Sequence, residues 1–281
     1  MSRPRRSSSL VPLLLTAGVL ACVYGAKVGG LALDQASHLY HPTREWTATP
    51  ADLGFVYEDV RFRSADGTEL SAWYVPAPGA SRGAVLFCHG NARNISGDVD
   101  SLKLFRAMGL DTLYFDYRGY GRSEGKPDEE GTYLDARSAW AYLTEVKGHR
   151  PERILIWGRS LGAAIALDLA VERGSAGVVL EGAFSSIRSM ALRLYPWAPV
   201  DLFLKYRYDN LSKIGLLRSP ALIVHSREDD VVPYGEGRRL FEAAPSGRAT
   251  FLEIGGPHAV PDGRPEYRDG VSAWVRSVLR E

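Results

Sequence analysis

The chain has 281 residues, 45% of them hydrophobic and 24% charged, an ordinary globular composition with length enough to bury a large core without cross-links. Its 34 basic and 33 acidic side chains leave a net charge of +1, so no basic field announces a nucleic-acid partner. Two cysteines, Cys22 and Cys88, exclude a disulfide framework and any multi-cysteine zinc or iron–sulfur centre.

The first 33 residues differ from the rest. Arg3, Arg5 and Arg6 precede an apolar run from Leu10 to Ala26 that only Pro12, Thr16 and glycines interrupt. Positive charge followed by an apolar stretch is the pattern of a secretory or anchoring signal. The run sits at the lower limit for a spanning helix, and continuation to Leu33 lengthens it. Three arginines before the run outweigh Lys27 after it, which keeps the N-terminus cytoplasmic and puts the body on the extracytoplasmic, periplasmic side. Val19-Leu20-Ala21-Cys22 is a loose match to a bacterial lipobox, which would make Cys22 a lipidated N-terminus; in an uncleaved anchor Cys22 is one more apolar residue. Residues 1–33 are therefore read as a membrane anchor or signal segment and 34–281 as the folded body.

From about Asp52 the chain alternates β-rich runs with helical patterns. Tyr57–Phe62 and Glu69–Val75 flank Asp66-Gly67, a hairpin signal. Ala84–Cys88 is a continuous apolar run, as for a strand buried on both faces. Leu102–Met108 reads as helix, Thr112–Asp116 as strand, and Glu130–Val146 as helix by its apolar spacing. Arg153–Trp157 is a strand that runs into an apolar helix, Leu161–Val171. Gly177–Leu180, Ala221–His225 and Thr250–Ile254 are further strands; Tyr234–Ala244 and Tyr267–Leu279 are helices. This rhythm predicts an α/β fold with a mostly parallel sheet of eight strands and helices on both faces. Phe184–Leu217 breaks the rhythm with Leu194, Tyr195, Trp197, Phe203, Tyr206 and Tyr208, and reads as a small helical cap over the sheet edge.

The pattern Gly-x-Ser-x-Gly occurs twice, around Ser123 and around Ser160. It carries chemistry only between a strand and a helix, where the sharp turn lifts the hydroxyl above the sheet. Gly158–Gly162 meets that condition; Gly121–Gly125 lies in a loop before Lys126-Pro127. Ser160 is therefore the candidate nucleophile and Ser123 a structural residue. A serine nucleophile needs a base. Of six histidines, His38 and His41 lie by the anchor, His149 follows a helix, and His89 and His225 end strands. His258 lies in a loop between the last strand and the last helix, where the order Ser…Asp…His puts the base. The acid belongs between them, and Glu228, Asp229 and Asp230 follow the strand Ala221–His225; periodicity does not choose among the three. The oxyanion donors are the backbone N–H of Leu161, which follows the nucleophile, and that of Asn91 in His89-Gly90-Asn91-Ala92.

Leu39-Tyr40-His41-Pro42, Pro50-Ala51-Asp52-Leu53-Gly54, His89-Gly90-Asn91-Ala92, Asp116-Tyr-Arg-Gly-Tyr-Gly-Arg-Ser-Glu-Gly125, Gly158-Arg-Ser-Leu-Gly162 and Asp209-Asn-Leu together resemble the membrane-anchored α/β-hydrolases, bacterial members and eukaryotic depalmitoylase-like relatives alike. The likeness extends over about Gln35 to Arg280. It implies the α/β-hydrolase fold, a structural loop at Gly121–Gly125 and a cap at Phe184–Leu217. It also implies that the acid is Asp229, the fifth position of a His-Gly-x-x-Asp-x-x-Val-Pro pattern in which this chain carries Ser226 for the glycine.

The expected function is a serine hydrolase, carboxylesterase- or thioesterase-like, with Ser160, His258 and Asp229 as triad and a small-molecule acyl substrate. Neither metal nor cofactor is required. The dense apolar side chains of the cap suggest short to medium acyl chains. One rival is an aminopeptidase-like amidase, which would need a carboxylate for the substrate amine, with Glu181 or Asp201 as candidates. The other is a non-catalytic, membrane-tethered binding protein on the same fold, against which the intact triad argues.

Overall fold

Four runs without polar alternation, Ala84–Cys88, Ile154–Arg159, Gly177–Glu181 and Ala221–Ser226, are buried at every position. Strands covered on both faces belong inside a parallel sheet flanked by helices, and that is the architecture of the computed structural model, which describes residues 10–258 and 263–279. Arg3, Arg5 and Arg6 lie outside the described residues.

In chain order the sheet strands are β1 (Glu58–Arg63), β2 (Glu69–Val75), β3 (Ala84–Cys88), β4 (Asp111–Phe115), β5 (Ile154–Arg159), β6 (Gly177–Glu181), β7 (Ala221–Ser226) and β8 (Ala249–Ile254). They form one eight-stranded sheet in the order β1-β2-β4-β3-β5-β6-β7-β8. β2 runs antiparallel to both its neighbours, and every other pairing is parallel. The register aligns the strand ends: Cys88 pairs with Gly158, Arg159 with Glu181, Glu181 with Val224 and Ser226 with Ile254. The loops that leave these carboxyl ends therefore meet over one edge of the sheet, the usual place for a site in an open α/β fold.

The helices are α1 (Leu10–Leu33), α2 (Gln35–Leu39), α3 (Ser101–Ala107), α4 (Glu129–Ala141), α5 (Leu161–Arg173), α6 (Ile187–Leu194), α7 (Asn210–Ile214), α8 (Tyr234–Ala243) and α9 (Pro265–Val278). One face of the sheet packs against α4, α5, α7 and α8, the other against α3 and α9. In α9, Tyr267, Val271, Trp274 and Val275 recur at helical spacing and are all buried, so one stripe faces the sheet. The helix read from Glu130 to Val146 ends as α4 at Ala141 and continues as one wider turn, in which Lys147 N donates to Tyr142 O at 3.0 Å.

The segment 184–217 divides in two. α6 has no buried residue, and with the turn Val200–Leu202 it projects beside α1. Tyr206, Tyr208, Ile214 and Leu217 are instead buried in the main core.

A buried ion pair ties the loop after β4 to α4. Arg118 donates to Asp135 at 2.8 Å and to Asp66 at 2.7 Å, and the Asp135 side chain is 0% exposed. Burial raises the Asp135 carboxyl pKa, and Arg118 opposes that shift. Arg118→Met leaves this carboxylate buried without its counter-ion, and the expected loss is about 3–5 kcal/mol at pH 7. Because the folded state then holds the proton more tightly than the unfolded state, the deficit should shrink as pH falls towards 4. Urea unfolding at both pH values checks this; an equal deficit at both would refute it.

Candidate active site

β5 ends at Arg159 and α5 begins at Leu161, so Ser160 alone reverses the chain. It does so at φ 54° and ψ −118°, a region that residues with a Cβ avoid at a cost of about 1–3 kcal/mol. Its N–H donates to Glu181 O at 2.8 Å, and its carbonyl accepts from Ala163 N at 3.0 Å, which holds the turn at both ends. Both glycines of the motif are there for close approach. A Cβ on Gly158 would overlap the Gly162 carbonyl oxygen, and a Cβ on Gly162 would overlap those of Cys88 and His89. The second Gly-x-Ser-x-Gly does something different. Ser123 is 0% exposed, donates to Asp116 O at 2.7 Å and accepts from Ser71 N at 2.9 Å.

The turn after β7 sorts the three acidic candidates. Asp229 Oδ2 accepts from His258 Nδ1 at 2.7 Å, while its Oδ1 accepts the N–H groups of Val231 and Val232 at 2.9 and 2.7 Å. Asp230 Oδ1 accepts from the His258 backbone N–H at 3.1 Å, and Glu228 accepts from the Gly256 N–H. One carboxylate thus meets the imidazole and the other two hold its loop. The Asp229 side chain is 2% exposed. Burial pushes its pKa up, but the contact with His258 and the two N–H donors outweigh that and hold the carboxyl below its ordinary range. With Nδ1 engaged, Nε2 is the His258 nitrogen left for proton transfer.

Ser160 and His258 line one cleft of about 250 Å³, together with Gly90, Asn91, Arg159 and Val231. Among the described residues no hydrogen bond joins the Ser160 hydroxyl to His258; such contacts are commonly loose until substrate arrives. The Asn91 loop is held through the Asn91 side chain and carbonyl. Its side chain donates to Leu39 O at 2.9 Å, and its carbonyl accepts from His41 N at 2.9 Å and from the Tyr120 hydroxyl at 2.8 Å. A two-residue parallel ladder, His41–Pro42 with Ala92–Arg93, secures the same loop. His89 is buried under the loop, stacked 4.1 Å from the Tyr117 ring, and burial pushes its pKa down to about 4. It is a neutral support.

Three features were not read from sequence. Arg159, inside the motif, pairs with Asp98 and Glu181, each at 2.7 Å, and so cross-links the ends of β5 and β6 beneath Ser160. Glu181 also accepts from Trp157 Nε1 at 2.8 Å and from the Tyr267 hydroxyl. His225 Nε2 donates to Val232 O at 3.0 Å and lies 3.5 Å from Asp229 Oδ2, beside the acid. The cap side chains lie elsewhere: Leu194, Tyr195, Phe203 and Tyr206 line a groove with α1 and α2, not the Ser160 cleft. Of the two carboxylates considered for binding an amine, Glu181 is spent on Arg159, and Asp201 is paired with Arg188 at 2.6 Å. No group of three potential metal ligands occurs among the described residues.

Comparison with known proteins agrees with this architecture. A family model described as serine aminopeptidase, S33, matches residues 79–206. An uncharacterized protein of Mycobacterium tuberculosis is 33% identical over 245 residues, which is 87% of each chain. Alpha/beta hydrolase domain-containing protein 17B of Homo sapiens is 34% identical over 185 residues, 64% of this chain and 62% of that protein. The Pf2001 esterase of Pyrococcus furiosus superposes with a TM-score of 0.72 at 21% identity, covering 85% of this chain and 99% of the esterase, a likeness of fold. With its sheet order, its strand–turn–helix at Ser160 and these relatives, the chain belongs to the alpha/beta-hydrolase superfamily and is a hydrolase.

Proposed function

We propose that the protein hydrolyses an ester or thioester through an acyl-enzyme. The observation that carries this reading is the 2.7 Å contact of Asp229 with Nδ1 of His258, which itself lines the cleft that holds the strained Ser160 turn. His258 Nε2 takes the Ser160 proton as Oγ attacks the acyl carbon. The N–H groups of Asn91 and Leu161 receive the oxyanion, each worth about 3–4 kcal/mol of barrier. His258 then protonates the departing alcohol or thiol. A water repeats the sequence, releasing the acid and restoring Ser160. Asp229 keeps the imidazole in the tautomer that accepts at Nε2. No step calls on a metal or cofactor.

The aminopeptidase named by the family model is the second reading. Its substrate amine needs an unpaired carboxylate, and the engagement of Glu181 and Asp201 counts against it. Fluorophosphonate labelling tests the nucleophile: wild type and Ser123→Ala should label, and Ser160→Ala should not. The Ser160 cleft is lined by few apolar side chains, Ala92, Val231 and Pro257 among them, so chain-length gains should end early. Across p-nitrophenyl esters, kcat/KM should climb by at most about 0.8 kcal/mol per methylene from acetyl to butyryl and level off by octanoyl. Faster turnover of aminoacyl anilides than of any ester would favour the peptidase.

We also read residues 1–33 as the membrane anchor, with the body outside the cytoplasm. Pro12–Leu33 is one apolar helical stretch of 22 residues, long enough to cross a bilayer. Protease added to spheroplasts should digest the body; full protection would reverse this topology.

A further inference from the structure

We propose that the segment Leu194–Leu202 is embedded in the headgroup–acyl boundary of the membrane that α1 crosses, so that the hydrolase rests cap-down on lipid. This rests on reading α1 as a membrane span.

The second half of α1 is attached to the body. Near its middle, the Tyr24 hydroxyl donates to Trp197 O at 3.1 Å, and the two rings meet edge-on at 6.2 Å. Two turns later Leu31 is buried with Ala198 and Val200. In α2, Gln35 donates to Phe203 O at 2.9 Å and accepts from Lys205 N at 2.8 Å. The last ten residues of α1 are thus clamped along the cap and do not form a free stalk.

Length then fixes depth. A hydrocarbon layer of about 30 Å takes about 20 helical residues at 1.5 Å each. Counted from Leu10, the first residue of α1, that stretch reaches Gly29. Tyr24 then lies about 7 Å inside the boundary, by the same rise per residue, and carries Trp197 with it. A later start or a tilted helix pushes both deeper. If α1 instead left the hydrocarbon before Tyr24, its 14 residues from Leu10 would span only about 21 Å and fall well short.

The side chains suit that depth. Leu202, Leu194 and Trp197 are 84, 63 and 46% exposed among the described residues. Tryptophan and tyrosine favour the membrane boundary, and Tyr195 stands 6.3 Å from the Trp197 ring. Asp201, the acidic neighbour of Leu202, is neutralised by both guanidinium arms of Arg188. Arg193 and Lys205 are exposed at the margins of the segment, where lipid phosphates lie. Leu194 also lines the apolar groove between α2 and α6.

Nitroxide accessibility in the full chain reconstituted into phosphatidylcholine–phosphatidylglycerol vesicles tests this. Cys22→Ala removes the exposed thiol, and Cys88 is buried. Labels are then placed through Leu15→Cys in α1, Leu202→Cys in the cap, and Glu145→Cys as an exposed reference. Leu202 is expected to match Leu15, with collision favouring oxygen over a nickel chelate severalfold more than at Glu145. Lipid exposure at Leu15 with a water-like signal at Leu202 overturns the proposal and leaves the span standing. A water-like signal at Leu15 overturns both. Leu194→Cys repeats the reading if Leu202→Cys does not fold.

Discussion

Ser160→Ala is expected to lower kcat by about a million-fold, because it removes the hydroxyl that the proposed mechanism loads with the acyl group. It should not disturb the fold, since both hydrogen bonds that fix Ser160 are made by its backbone. Stability supplies a second, opposite reading at the same position. At φ 54° a serine or alanine is strained. Ser160→Gly should therefore be as inactive as Ser160→Ala yet more stable by about 1 kcal/mol. Ser123→Ala reverses the pattern. Two buried hydrogen bonds are lost, costing about 1–3 kcal/mol, while turnover stays within an order of magnitude. p-Nitrophenyl acetate turnover and urea unfolding of the three variants check these outcomes. Turnover that survives Ser160→Ala and disappears in Ser123→Ala would exchange the two roles.

How much of this was legible in the sequence depends on the range over which each feature is specified. The strands at Ala84, Ile154, Gly177 and Ala221 announce themselves because continuous apolar runs fit only a doubly covered sheet. The turn at Ser160 is legible from its motif, although only Gly158 answers to an overlap within a few residues; Gly162 answers to the distant carbonyls of Cys88 and His89. The acid was different. Glu228, Asp229 and Asp230 are adjacent and chemically alike, and only the meeting of two loops, which brings His258 to one of them, separates their contacts. The pairing of Arg159 with Asp98 and Glu181 was invisible for the same reason: its partners are 61 and 22 residues away. The cap aromatics show the converse error. Their density was read as the wall of an acyl pocket, but composition carries no direction, and most of them line a groove beside α1 instead of the Ser160 cleft.

Asp229→Asn should leave a folded protein with kcat lowered by about ten-thousand-fold, and the reason lies in which oxygen is already taken. Oδ1 accepts two backbone N–H groups, from Val231 and Val232, at 2.9 and 2.7 Å. In the amide variant the carbonyl oxygen keeps those two donors, because the NH2 group cannot accept them. The NH2 group is thereby turned towards His258, where Oδ2 stands at 2.7 Å in the wild type. It donates to Nδ1, which must then be unprotonated, and the proton moves to Nε2. A base that carries a proton on the nitrogen facing Ser160 cannot take another from it, so the loss falls on kcat and not on KM. Asp230→Asn meets no such constraint. Among the described residues its carboxylate accepts only the His258 backbone N–H, a role an amide oxygen fills equally well, and its effect should stay within about tenfold. Steady-state kinetics on both variants, with circular dichroism to verify folding, decide the matter. If Asp230→Asn is the more damaging of two folded proteins, the acid is Asp230 and the tautomer argument fails.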